Sequence, residues 1–165
     1  MDGLTRGWRS LRAAVSDGSN MAVRNDVMMC ALEGAMAFQK GLGAIHSLSH
    51  PIGSLYHTHH GMTNAVFMPY VLDFNRAAIE ARIEPAARYL GIKGGFDGFR
   101  KAVIKLRKDL NVPHTLGSLV KGFNPDRKRK SLICDMAVVD PTAGGNPVKL
   151  TKKGALEILE AAMAG

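Results

Sequence analysis

The sequence predicts an all-α fold, a bundle of helices. Apolar residues recur at helical spacing along nearly the whole chain, no stretch alternates in the way a half-buried strand must, and capping and breaking residues punctuate the helical segments. With 165 residues, 46% of them hydrophobic and 22% charged, the chain amounts to one domain and can bury a core without disulfide staples. That composition excludes disordered, collagen-like and low-complexity classes.

The elements follow from the punctuation. A first helix is expected from Leu4 to Val15. Asp17, Gly18, Ser19 and Asn20 then make a turn rich in capping residues, which opens a longer helix from Met21 to about Ser49. Pro51 should end or kink that helix. The chain is expected to break briefly near Asn75, and Pro85 can open another helix at its first position, closed by Gly91. A Lys93-Gly94-Gly95 loop leads into a helix that Asp97 could cap, with Phe99, Val103, Leu106 and Leu110 as its apolar stripe. Asn111-Val112-Pro113 ends it. Later helices fit Lys130 to Val139 and Thr151 to Ala164, separated by a loop from Asp140 to Pro147. The nine methionines spread along these helices read as fillers of core gaps.

Charge and cysteines narrow the function classes. The formal net charge is +8, but the surplus is regional, concentrated between residues 82 and 130. Arg100, Lys101, Lys105, Arg107 and Lys108 lie off the apolar stripe of their helix and read as a solvated face. The run Arg127-Lys128-Arg129-Lys130 reads as a loop or helix start. No aromatic platform or groove-reading motif accompanies it, so nucleic acid is not an expected partner. Cys30 and Cys134 form neither a disulfide framework nor a zinc ribbon, which suits a reducing compartment. The N-terminus lacks the apolar core of a signal peptide, and no window is long and apolar enough to span a bilayer. A soluble, cytoplasmic protein without a membrane partner is expected.

The chemistry concentrates in the histidines. Five of the six, His46, His50, His57, His59 and His60, fall within fifteen residues. His46 and His50 are four apart, so on a helix they share one face and can line one site. On a single straight helix His46 and His60 would be about 21 Å apart and could share nothing. A break at Pro51 with Gly53 beyond it would let the chain double back and bring His60 to His46 from a second element. Gly41-Leu42-Gly43-Ala44-Ile45-His46 comes close to a dinucleotide fingerprint but lacks its third glycine and follows a helical segment, not a strand. Its small residues are better explained by close helix packing.

The stretch Gly34-Ala35-Met36-Ala37-Phe38-Gln39-Lys40-Gly41-Leu42-Gly43-Ala44-Ile45-His46-Ser47-Leu48-Ser49-His50-Pro51-Ile52-Gly53, with the later His59-His60-Gly61-Met62-Thr63-Asn64 and onward to Asn75, closely resembles the signature of the iron-containing (group III) alcohol dehydrogenases. Residues 4 to 33 resemble the helix pair before that signature, and Asp140 to Pro147 resembles the family's terminal Gly-Asn-Pro loop. The resemblance covers nearly all of the chain and only the helical C-terminal domain of the family. The N-terminal α/β domain, which carries most of the NAD or NADP site together with an aspartate and a histidine of the metal site, has no counterpart in these residues.

By this resemblance His46 and His60 match the two metal-binding histidines of the helical domain. His50 matches a histidine beside the nicotinamide and the substrate that is not a ligand, and is thus both the candidate catalytic and the candidate cofactor-contacting residue. One departure stands out. The position before the second ligand is usually proline, and here it is His59, with His57 nearby, so the extra imidazoles could disturb the choice of metal or offer a decoy site. The implied activity is hydride transfer between a primary alcohol or its aldehyde and a nicotinamide, with a divalent metal, Fe2+ by the family's name or Zn2+ by ligand chemistry, as Lewis acid. The expected partners are the alcohol or aldehyde, the N-terminal nucleotide-binding domain and, through an exposed apolar face, a second copy of the chain. The contrasting reading is a non-catalytic helical interaction module that keeps the fold.

Overall fold

Eight α-helices, two short 3₁₀ segments and no strand make up the chain, and the computed structural model describes all 165 residues. The helices are α1 (Asp2–Ser16), α2 (Met21–Ala37), α3 (Ala44–Tyr56), α4 (His60–Tyr89), α5 (Gly95–Asp109), α6 (Leu116–Leu119), α7 (Arg127–Val139) and α8 (Lys152–Ala164). The 3₁₀ segments are Phe38–Lys40 and Pro141–Gly145. The fold class is all-α, as the periodicity predicts. The chain forms two compact units, one from Met1–Lys40 and Ala81–Leu110, the other from Gly41–Glu80 and Asn111–Gly165.

In the first unit the caps fall close to where the sequence places them. Asn20 caps α2 by accepting from the Val23 N–H at 3.3 Å. Phe96, Phe99 and Val103 of α5 are buried, Trp8 of α1 stacks on Phe99 with ring centroids 6.5 Å apart, and Arg12 lies over the Trp8 ring while pairing with Asp109 at 2.8 Å. Two expectations need correction. Asp97 sits in the first turn of α5, whose cap position is Gly94. Arg107, assigned to the solvated face, is buried at 5% exposure, one turn beyond Val103 on the buried side of α5.

The methionine reading holds only in part, with Met163 packed against the core. None of the nine is buried, and Met21, Met28 and Met36 lie exposed on α2 with Leu32. Helix α2 has no fully buried residue, and Val23, Val27, Met29 and Cys30 are its half-buried apolar side chains. A glycine carries more of this unit's geometry. A Cβ on Gly98 would lie 1.8 Å from the Lys93 carbonyl oxygen, a backbone atom that cannot step aside without moving the loop before α5. Gly98→Ala is expected to lower stability by about 3 kcal/mol, read as a fall in the urea midpoint at an unchanged slope.

The second unit contains the main core. Ala44, Leu48 and Ile52 of α3 meet Val66, Phe67, Tyr70 and Val71 of α4, Ile133, Cys134 and Ala137 of α7, and Ala155, Ile158, Leu159 and Ala162 of α8. Asp126 caps α7 through the Arg129 N–H at 2.7 Å, and Thr151 caps α8 through Gly154 N–H at 3.1 Å. The basic run therefore opens a helix. Its last member, Lys130, pairs with Glu160 of α8 at 2.9 Å, and the other three are exposed.

Pro51 does not end its helix and Pro85 does not open one. Pro51 lies inside α3 and is buried, and the helix runs on to Tyr56. Pro85 lies inside α4, which is continuous from His60 to Tyr89 with no break at Asn75. A proline inside a helix costs about 3 kcal/mol, but burying side chains such as Leu48 and Ile52 returns about 1.5–3 kcal/mol each. The stripe that holds α3 on the core outweighs the one hydrogen bond lost. The helix expected from Met21 to Ser49 is instead interrupted at residues 38–43, between α2 and α3.

Candidate functional site

The packing of α3 decides where its histidines go. Ala44, Leu48 and Ile52 at four-residue spacing, with Ser47 and Pro51 beside them, face the core. That turns His46 and His50 to the other side, one turn apart. The chain reverses after Tyr56 and not at Pro51. His57 adopts the left-handed conformation (φ 54°, ψ 39°) and donates its N–H to the Gly53 carbonyl at 2.9 Å, closing α3. Thr63, fully buried, has its hydroxyl 2.7 Å from that of Thr58 and 3.0 Å from the His59 carbonyl, which ties the reversal to the first turn of α4. Helix α4 thus starts at His60, beside α3.

Three imidazoles meet as a result. Ring centroids of His46 and His60 are 5.3 Å apart, those of His50 and His60 also 5.3 Å in a stacked pair, and those of His46 and His50 6.2 Å edge to face. His57 and His59 stand at the reversal, where His59 Nδ1 accepts from the Met62 N–H at 3.4 Å. Burial pushes the His46 pKa down, and the neighbouring His60 and His50 add to this against a smaller pull from Asp140. This favours the neutral form of the His46 imidazole.

Two polar residues unforeseen in the sequence complete the cluster. Asn64, one turn after His60 on α4, directs its Nδ2 to His60 Nε2 at 2.9 Å and to His46 Nε2 at 3.3 Å. Its Oδ1 is buried without a hydrogen-bond partner. Both Nε2 atoms thus accept from one amide group, which puts their lone pairs toward a common point. Asp140 accepts from His50 Nδ1 at 2.8 Å and receives the Thr142 N–H at 2.8 Å and the Thr142 hydroxyl. Burial works against ionisation of Asp140, but the bonds from Thr142 and His50 outweigh it, and its carboxyl lies below the usual range. The signal for Asn64 was its four-residue offset from His60, whereas the offset of ninety residues between Asp140 and His50 left none.

A second pair of amides anchors the start of α3. Asn146 Oδ1 accepts from the Ala44 N–H and from Asn75 Nδ2, each at 3.0 Å, while Asn146 Nδ2 donates to Asn75 Oδ1 at 2.8 Å and to the Val148 carbonyl at 2.6 Å. This amide fits only against a residue without a side chain, since a Cβ on Gly43 would lie 2.8 Å from Asn146 Oδ1. The glycines before His46 therefore serve the approach of a loop, not of a helix. A shallow cavity of about 310 Å³ opens here, lined by His46, Val71, Asn75, Asn146 and the Gly41–Gly43 backbone.

A larger cavity of about 630 Å³, lined by Arg127, Lys130, Cys134, Lys152 and Glu160, is chemically quieter. Lys130 is paired with Glu160 and Lys152 with Asp135, and burial pushes the Cys134 thiol up, away from the reactive thiolate. The histidine cluster is the better candidate site. No group of three or more His, Cys, Asp or Glu side chains is arranged to hold a metal ion. A two-imidazole donor set would make up half of a tetrahedral site or a third of an octahedral one.

Residues 8–163 match the Fe-containing alcohol dehydrogenase family, C-terminal. The chain belongs to that family. It is similar to long-chain-alcohol dehydrogenase 1 of Geobacillus thermodenitrificans, 32% identical over 95% of this chain and 41% of that one. Over a shorter stretch it is 51% identical to 4-hydroxybutyrate dehydrogenase of Cupriavidus necator, covering 47% of this chain and 22% of the relative. A crystal structure of 1,3-propanediol oxidoreductase superposes with a TM-score of 0.89 at 28% identity, over 98% of this chain and 44% of that chain. The chain thus spans less than half the length of these relatives.

Proposed function

We propose that the chain is the metal-binding helical half of an NAD(P)-dependent dehydrogenase that interconverts primary alcohols and aldehydes. The convergence of His46 Nε2 and His60 Nε2 on the Asn64 amide carries this reading. His46 and His60 would hold a divalent ion, iron first and zinc second, which when bound supplies Lewis-acid polarisation of the substrate oxygen. The other ligands and most of the nicotinamide site would come from the N-terminal domain.

The residues of the chain divide the remaining work. His46 would offer Nε2, which accepts from the Asn64 amide at 3.3 Å, as its donor atom. His50, stacked on His60 and bonded to Asp140 through Nδ1, lies beside His46 and His60, and its Nε2 edge, turned away from Asp140, would be suited to take up or relay a substrate proton.

The test is a chimera in which this chain replaces the corresponding C-terminal part of the Geobacillus relative, assayed with NAD(P) and short primary alcohols, beside the 165-residue chain alone. The chimera should turn over and the isolated chain should not. In the chimera, His50→Ala should keep its metal and lose roughly a hundredfold in kcat. Loss of metal in His50→Ala with retention in His46→Ala would reverse the assigned roles.

A further inference from the structure

We infer that Asp140 is a positioning residue that fixes the tautomer of His50, forming a carboxylate–imidazole dyad within the proposed site. The inference rests on the reading of His50 given above. Its physical basis is a chain of hydrogen bonds with only one consistent polarity. The Thr142 N–H can only donate, and it donates to Asp140 Oδ1 at 2.8 Å. The Thr142 hydroxyl is also directed at that oxygen. The second oxygen, Oδ2, lies 2.8 Å from His50 Nδ1. An ionised carboxylate accepts and does not donate, so the His50 proton must be on Nδ1. The lone pair is then on Nε2, the nitrogen at the far edge of the ring.

The arrangement is built, not incidental. The Asp140 side chain is 14% exposed, and the carboxylate starts the 3₁₀ segment Pro141–Gly145 as its cap, so its rotamer is set by the backbone of the next turn. The same loop carries Asn146, whose amide holds the first residue of α3. Asp140 and α3 are thus linked through one short segment, from the Asp140 cap to the Asn146 amide that holds the start of α3. A carboxylate placed in this way does for His50 what outer-shell carboxylates do for histidines in many sites: it selects the tautomer and locks the ring plane.

Asp140→Asn makes the test sharp. Oδ1 must continue to accept from the Thr142 N–H, so the new amide turns its NH2 group toward His50. Nδ1 then has to accept, and the proton moves to Nε2. In the 165-residue chain, imidazole 15N spectra at a pH where the histidines are neutral should show His50 protonated on Nδ1, with reversal to Nε2 in Asp140→Asn and recovery of the Nδ1 form in Asp140→Glu. In the chimera, Asp140→Asn should lower kcat by roughly a hundredfold with KM and metal content little changed. A wild-type proton on Nε2, or an unchanged tautomer in Asp140→Asn, would overturn the inference. The wild-type spectrum alone decides the matter if the variant does not fold. Tautomer reversal with an unchanged kcat would leave the dyad standing and remove His50 from the proposed proton transfer.

Discussion

His46→Ala and His60→Ala, each introduced into the chimera, are expected to lower kcat/KM by about a thousandfold or more, equivalent to about 4 kcal/mol of transition-state stabilisation. Each removes one of the two Nε2 donors that converge on Asn64. Two losses would add together in that case. The ion would leave, and with it the polarisation of the substrate oxygen. Metal content measured on the purified variants should fall in step with turnover, whereas His57→Ala and His59→Ala, placed at the chain reversal, should retain both. Full activity in His60→Ala would mean that the oxygen is polarised by some other group.

Asn146→Ala should give the largest loss of stability, about 3–4 kcal/mol, because it orphans several groups at once. The Ala44 N–H, both polar atoms of the buried Asn75 amide and the Val148 carbonyl would lose a partner. Asn75→Ala should cost less, since Asn146 would still bond Ala44 and Val148. Chemical denaturation of the two variants and of the double variant measures this. The double variant should be less destabilised than the sum of the singles, as both remove the same pair.

The helices were legible because their signals are local. Asn20, Asp126 and Thr151 cap α2, α7 and α8 as their chemistry requires, and Phe99 and Val103 are buried by periodicity alone. Pro51 and Pro85 were misread for the converse reason: a local penalty was weighed without the long-range burial that opposes it. Arg107 and the methionines of α2 show that which face is covered depends on neighbours far along the chain. The histidine cluster was readable from spacing, but the agent of the reversal was not. A left-handed His57 and the half-buried Thr58–Thr63 hydroxyl pair turn the chain, and neither residue type announces that conformation. Asp140 and Asn146 were beyond reach, being brought to α3 across 90 and 102 residues.

The most direct test of the metal assignment needs no catalysis. The 165-residue chain, labelled with 15N in its imidazole rings, would be titrated with Zn2+ and then with Co2+. Two ligands should bind only weakly, and the Nε2 resonances of His46 and His60 should shift together along one binding curve, with His50, His57 and His59 left near their starting positions. His46→Ala should flatten that curve. Tight stoichiometric binding that moves His57 and His59 instead, and survives both His46→Ala and His60→Ala, would contradict the assignment.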